Sequence, residues 1–282
     1  VLVPWLLEGP RRAAELVMSA DRAFDLVYSA FFLVAITGGL LAVVHLLRLW
    51  HPTNTALAVA LLVAAVMPLA FHRHVYQPWS MLDLPIAALA LRWVYLRRPT
   101  TWLVGLTVLA TLNRETGMFV GVVVLAGAAA QLGIRNAWRA SLPLIAGAAT
   151  YLSLRALLGS GPPVETVSSV WSANRSDLAA SGLYVGLLVS GFVVLGVMGR
   201  KRVERFFSWQ LVAAVIYLAF VGVFGVWAEV RLLLALLPLG AVFTAAALQE
   251  DDVDGKTRNR RECNPASPAA EPNPPAPSTQ RP

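Results

Sequence analysis

From residue 24 onward, nine apolar runs alternate with short polar breaks. The runs cover roughly 24–47, 54–71, 80–96, 101–112, 117–133, 138–158, 182–198, 206–227 and 230–248. Each is continuous in its apolar character, not alternating, which reads as helix and not as the strand of a membrane barrel. Most approach the length that crosses a bilayer. The pattern therefore predicts an all-α fold, a polytopic membrane helix bundle. It also divides the chain into three parts: an outer-face juxtamembrane segment (1–23), the transmembrane bundle (24–248) and a cytoplasmic tail (249–282). The tail is charged and then Pro-rich, ending NPASPAAEPNPPAPSTQRP, and cannot bury a core, so disorder is expected there. Before the first run, WLLEGPRRAAELVMSADR (5–22) mixes apolar and charged residues. Residues 12–22 read either as a short amphipathic helix on the outer membrane surface or as a hydrated leader.

Composition strengthens the membrane reading. Of 282 residues, 57% are hydrophobic and 14% charged, too apolar a balance for a soluble domain of this size. The net charge of +7 is accounted for by the positive-inside bias without a nucleic-acid partner. Taking alternate breaks as one side, Lys and Arg concentrate at Arg48, Arg97, Arg98, Arg135, Arg139, Arg200, Lys201, Arg202, Arg205 and the tail. That side is expected to be cytoplasmic, which puts the C-terminus inside and residue 1 outside. An outside start with no signal segment leads to the expectation that a first helix precedes residue 1. Cys263 is the only cysteine, so no intramolecular disulfide is expected.

The two sets of breaks differ in chemistry. The cytoplasmic set carries mainly Arg and Lys. The outer set gathers His72, Arg73, His74 and Tyr76, then Asp83, then Asn113, Arg114 and Glu115, and finally Glu229 and Arg231. The run 101–112 is too short to cross about 30 Å of hydrocarbon as a helix, so NRET (113–116) is expected to lie below the outer surface. Charges at that depth need a cavity or partners. They read either as the lining of a recessed polar pocket or as glue between helices. Sequence neighbours point about 100° apart on a helix, so Arg114 and Glu115 would each need a different partner. Asp83 reads as an N-terminal helix cap or a substrate contact. Arg231, at a helix start, points to an anionic partner such as phosphate or to a snorkelling anchor. His72 and His74 have metal-ligand chemistry, but no further ligands stand beside them in sequence.

Three patches carry a resemblance. YQPWSMLDLPIAALAL followed by RRP, LATLNRETGMFVGVVV, and the late EVRLLLALLP resemble the GT-C membrane glycosyltransferases, including the protein O-mannosyltransferase, aminoarabinose transferase and galacturonosyltransferase groups. The opening LVPWLL is similar to the stretch after that family's first outer loop. The resemblance implies a bundle of membrane helices in a plasma membrane, as in the bacterial inner membrane. It implies an outer cavity that takes a polyprenyl-phosphate-linked sugar. It implies transfer of that sugar to an acceptor glycan, lipid or protein at the outer face. The family's usual catalytic carboxylate would then lie upstream of residue 1.

On this reading Arg114, with Arg231, stabilises the leaving phosphate. Asn113 and Glu115 orient Arg114 or the sugar, and His72, Arg73, His74 and Tyr76 line the rim. The partners are a lipid-linked sugar donor and membrane lipids, with no nucleic acid. A divalent metal is compatible with the chemistry but not demanded by it. A transporter or flippase and a non-catalytic membrane scaffold are the alternatives. The first predicts paired repeats with interrupted helices. The second predicts that the outer polar residues are replaceable.

Overall fold

The computed structural model describes residues 2–70, 78–158, 172, 175, 178–199, 203–224 and 230–248. The chain divides into two units, Val1–Ala247 and Leu248–Pro282; the second lies beyond the described residues apart from Leu248. The expected disorder of 249–282 therefore falls outside them.

Among the described residues the secondary structure is helical, without a strand. The helices are α1 (Leu2–Glu15), α2 (Ala20–Leu47), α3 (Thr53–Ala70), α4 (Asp83–Tyr95), α5 (Thr100–Asn113), α6 (Phe119–Leu132), α7 (Leu142–Leu158), α8 (Leu178–Gly199), α9 (Arg205–Phe224) and α10 (Leu237–Leu248). Short 3-10 segments precede four of them: Pro78–Leu82 leads into α4, Glu115–Met118 into α6, Ile134–Ala140 towards α7 and Val230–Leu236 into α10. Every apolar run of the sequence overlaps one of these helices.

Two helical stretches are long and apolar enough to cross a bilayer: Ala20–Leu47 and Glu115–Leu132. A third is reached if Ile134–Ala140 and Leu142–Leu157, bent by 47°, act as one broken span. Other apolar helices are shorter, among them Thr53–Pro68, Thr100–Asn113 and Leu233–Leu248.

The helices are apolar on nearly every side. Leu33, Val34, Leu61, Leu62, Leu152 and Val215 are exposed, which suits a surface wetted by lipid and would be a liability in water. The inward faces meet in one main core, where Leu46 and Leu47 of α2, Val59 of α3, Leu84 of α4, Phe207 of α9 and Phe243 of α10 are fully buried or nearly so. Small residues set the closest approaches. A Cβ at Gly121 would stand 2.5 Å from Leu144 Cα, so α6 and α7 touch backbone to backbone there. Two buried threonines of α5 satisfy their hydroxyls within the helix: Thr107 Oγ1 donates to Leu103 O and Thr111 Oγ1 to Thr107 O, both at 2.8 Å.

The start of the chain differs from its expected form. The amphipathic helix covers 2–15 instead of 12–22, and Leu16–Met18 form a turn before α2 begins at Ala20. Pro10 sits inside α1, and charges bridge across it. Glu8 bonds Arg11 at 2.8 Å and Arg12 at 2.8 Å, and Arg11 also reaches Glu15. These i,i+3 and i,i+4 pairs hold the helix where the proline lacks an amide donor. Val3 and Leu7 are buried, and α1 packs on α2, α5 and Pro78–Leu82.

The far end of α4 is tied differently. Trp50 Nε1 donates to Tyr95 Oη at 2.9 Å, and Tyr95 Oη donates to Glu204 Oε1 at 3.0 Å. Phe206 and Phe207 pack edge-on around these rings. The chain then turns back through a Schellman motif, with Arg97 N donating to Val94 O and Arg98 N to Trp93 O. Arg97 takes the left-handed position of that motif at φ 52°.

Candidate functional site

The residues Asn113, Arg114 and Glu115 end α5 and begin the 3-10 segment that leads into α6. Arg114 is extended (φ −154°, ψ 145°), so the chain makes a sharp step between two helices. That step sends the three side chains in three directions. Asn113 is 2% exposed and faces the packed interior. Arg114 Nη1 donates to Ser80 Oγ at 3.2 Å and lies 3.3 Å from Asp83 Oδ2. Glu115 turns to the opposite flank, where Arg155 Nη2 donates to its Oε1 at 2.7 Å. Its side chain is 61% exposed, whereas those of Arg114 and Asp83 are 13% and 10% exposed.

Each charged neighbour thus has a partner on its own helix pair. Arg114 joins α5 to the start of α4, and Glu115 joins the step to α7. Asp83, the first residue of α4, puts its carboxylate on Arg114. Glu115 thus pairs with Arg155, and Arg114 with Asp83.

Beside the Arg114–Asp83 pair lies a cavity of about 70 Å³ between α4, α6, α9 and the segment that opens α10. Asp83, Thr116 and Tyr217 supply polar groups to its wall, and Gln210 lines it as well. The Tyr217 side chain is buried. Phe119 packs edge-on against Tyr217 at 4.9 Å between ring centres. The rest of the lining is apolar, with Ala87, Ala90, Ala110, Ala213, Ala214 and Ala235 beside larger side chains such as Ile86, Leu91 and Leu239. Gly117 contributes by its lack of a side chain. A Cβ there would run into the backbone of α5 at Ala110.

A second cavity, of about 390 Å³, lies between α3, α8, α9 and α10 and is lined almost wholly by apolar side chains. Leu236 borders both cavities.

Of the other candidates, His72, Arg73, His74, Tyr76 and Glu229 lie outside the described residues. Arg231 belongs to the 3-10 segment Val230–Leu236, which packs on α4 and on Pro78–Leu82. Its backbone is therefore carried by an element that adjoins the one holding Ser80. Among the described residues no three His, Cys, Asp or Glu side chains stand together as a metal's ligand set.

Ser80, Thr116, Gln210 and Tyr217 are not singled out by the sequence reading. A lone glutamine inside the apolar run SWQLVAAVIYLAF is the available signal, since a polar side chain at membrane depth is retained for a partner or a function.

Comparison with known proteins gives no matching family model, no similar curated protein and no similar solved structure, so the site stands on its own geometry.

Proposed function

We propose that this chain is a GT-C-like glycosyltransferase of a plasma membrane, with its C-terminus cytoplasmic. It moves a sugar from a polyprenyl-phosphate carrier to an acceptor at the outer face. The observation that carries the reading is the Arg114–Asp83 pair, set deep among apolar helices and bordering a cavity. A cation held at such depth marks a functional site more often than a structural one. Arg114 supplies positive charge where a leaving phosphate gathers negative charge. Arg231 lies on a neighbouring element and supports the same role. Asp83 keeps the guanidinium oriented, and Ser80 fixes its second contact. A carboxylate takes the proton from the acceptor hydroxyl as the carbon–oxygen bond to the sugar forms and the bond to phosphate breaks.

The same pair ties α4 to α5, and this favours a second reading, a purely structural one. The charge swap Asp83→Arg with Arg114→Asp separates the two. Transfer from a lipid-linked sugar is assayed alongside thermal stability in detergent. A working site needs its cation at position 114, so the swap restores stability relative to Arg114→Ala but not transfer. Recovery of both would reduce the pair to a helix tie. Full transfer by folded Arg114→Ala would remove Arg114 from the mechanism. Uptake of substrate into proteoliposomes without transfer would favour a transporter.

A further inference from the structure

We infer that the end of the bundle at which α4 finishes is a docking surface for anionic phospholipid, its arginines meeting headgroup phosphates and its exposed tryptophans the lipid beneath them. Three hydrogen bonds gather this surface from four stretches of chain. Trp50 Nε1 donates to Tyr95 Oη, and Tyr95 Oη donates to Glu204 Oε1. Gln131 Nε2 donates to Val94 O at 3.1 Å, which sets the end of α6 beside the end of α4. The helix ends and turns so joined carry Arg48, Arg97, Arg98, Arg135, Arg139 and Arg205, all of them exposed. The basic breaks of the sequence thus converge on one face.

The charge there is not compensated within the chain. Among the described residues none of the six arginines has a carboxylate partner. Glu204 is the one described carboxylate at this end, and it already accepts from Tyr95. The arginines towards the other end of α4 contrast with these: Arg11, Arg12, Arg114 and Arg155 each face a carboxylate. Like charges gathered without counter-charges repel one another, so the face calls for anions from outside the protein.

The neighbouring side chains decide the kind of anion. Trp102, just past the Arg97–Arg98 turn, is 61% exposed. Trp138, between Arg135 and Arg139, is 68% exposed, and Ile134 is 70% exposed. In a 3-10 segment residues three apart lie over one another, so Arg135 and Trp138 share one side of Ile134–Ala140. A soluble anion would leave these apolar groups uncovered. A phospholipid satisfies both kinds of group at once, with phosphate on the guanidinium groups and the indole rings at headgroup level. Only a bilayer setting is assumed; transfer of a sugar is not.

The test uses the full chain in phosphatidylcholine vesicles. Spin-labelled phosphatidylglycerol and spin-labelled phosphatidylcholine are the probes, and electron paramagnetic resonance reads the protein-bound fraction of each. Phosphatidylglycerol should be preferred, and the preference should weaken as salt is added. Arg97→Gln, Arg98→Gln, Arg135→Gln and Arg139→Gln together should lower the preference at least about fivefold, one arginine's worth at a lipid surface. Arg11→Gln with Arg12→Gln, towards the other end, should leave it unchanged. Inorganic phosphate should displace no more lipid than chloride at equal ionic strength. Should the fourfold variant fail to fold, the salt dependence of the unaltered chain takes its place. An undiminished preference in the folded fourfold variant, an equal loss in the Arg11 and Arg12 control, a preference indifferent to salt, or displacement by phosphate beyond that by chloride would each overturn the proposal.

Discussion

Arg114 Nη1 stands 3.3 Å from Asp83 Oδ2, and both side chains are almost withdrawn from solvent. Removing one partner leaves the other charge buried among apolar helices. Asp83→Ala or Arg114→Ala should each lower stability by about 3 kcal/mol. The double Ala variant should lose clearly less than the sum of the two. Denaturant unfolding in detergent micelles measures the cycle, and additivity would mean that the pair is not coupled.

The adjacent ion pair should behave in the opposite way. Glu115 and Arg155 are 2.7 Å apart but lie 61% and 35% exposed. Screening and side-chain entropy leave such a pair worth about 0–1 kcal/mol. Glu115→Ala should therefore shift the unfolding midpoint little, and less still at high salt. A large loss would show that Glu115 has a second task.

Gly117→Ala tests the close approach that shapes the cavity wall. The new methyl would meet the α5 backbone at Ala110, which cannot rotate away. A destabilisation of about 1–3 kcal/mol is expected. Gly9→Ala is the matching control: nothing stands within 4 Å of a Cβ there, so helix α1 should gain about 0.5–1 kcal/mol.

Arg97 occupies the left-handed position of a Schellman turn at φ 52°, where glycine has no Cβ penalty. Arg97→Gly should stabilise the turn between α4 and α5 by about 1 kcal/mol. Arg97→Ala, which keeps a Cβ, should not. Thermal melts of the two variants provide the comparison.

The response to acid should centre on α1. Hydrogen bonds from Arg11 and then Arg12 hold the Glu8 carboxyl down at about 2, against 4.5 in an unstructured chain. A carboxyl lowered in the folded state stabilises that state above its unfolded value and loses the effect as pH falls through the folded value. Helix α1 should therefore keep its amide protection down to about pH 4.5 and lose it progressively towards pH 2. Hydrogen exchange over residues 2–15, corrected for intrinsic rates, reads this directly. Glu8→Gln should flatten the profile.

Most of the helices are legible in the sequence because, in so apolar a chain, polar breaks alone mark where helices end. The run at 54–71 corresponds to Thr53–Ala70, and 101–112 to Thr100–Asn113. The same apolar excess hides the facing of the side chains. α5 and α6 have no polar stripe to show which way they turn, so although Arg114 and Glu115 are expected to take different partners, that these are Asp83 and Arg155 needs coordinates. Gln210 escapes notice because a single polar residue inside an apolar run sets up no pattern. The helix at 2–15 is misplaced by pattern alone because its mixed apolar and charged residues continue to 22, while the pairing of Glu8 with Arg11 and Arg12 across Pro10 is visible only in the fold.

The knot of Trp50, Tyr95 and Glu204 closes the end of α4 that lies about 18 Å from Asp83. Three separate stretches of chain meet there through directional bonds and interleaved rings. The Arg114 end is joined instead through a charged side chain, by Arg114 to Asp83 and to Ser80. If the bundle spreads to admit a guest, it has to swing about this aromatic knot as a fixed pivot, and loosening Trp50 would free the wrong end.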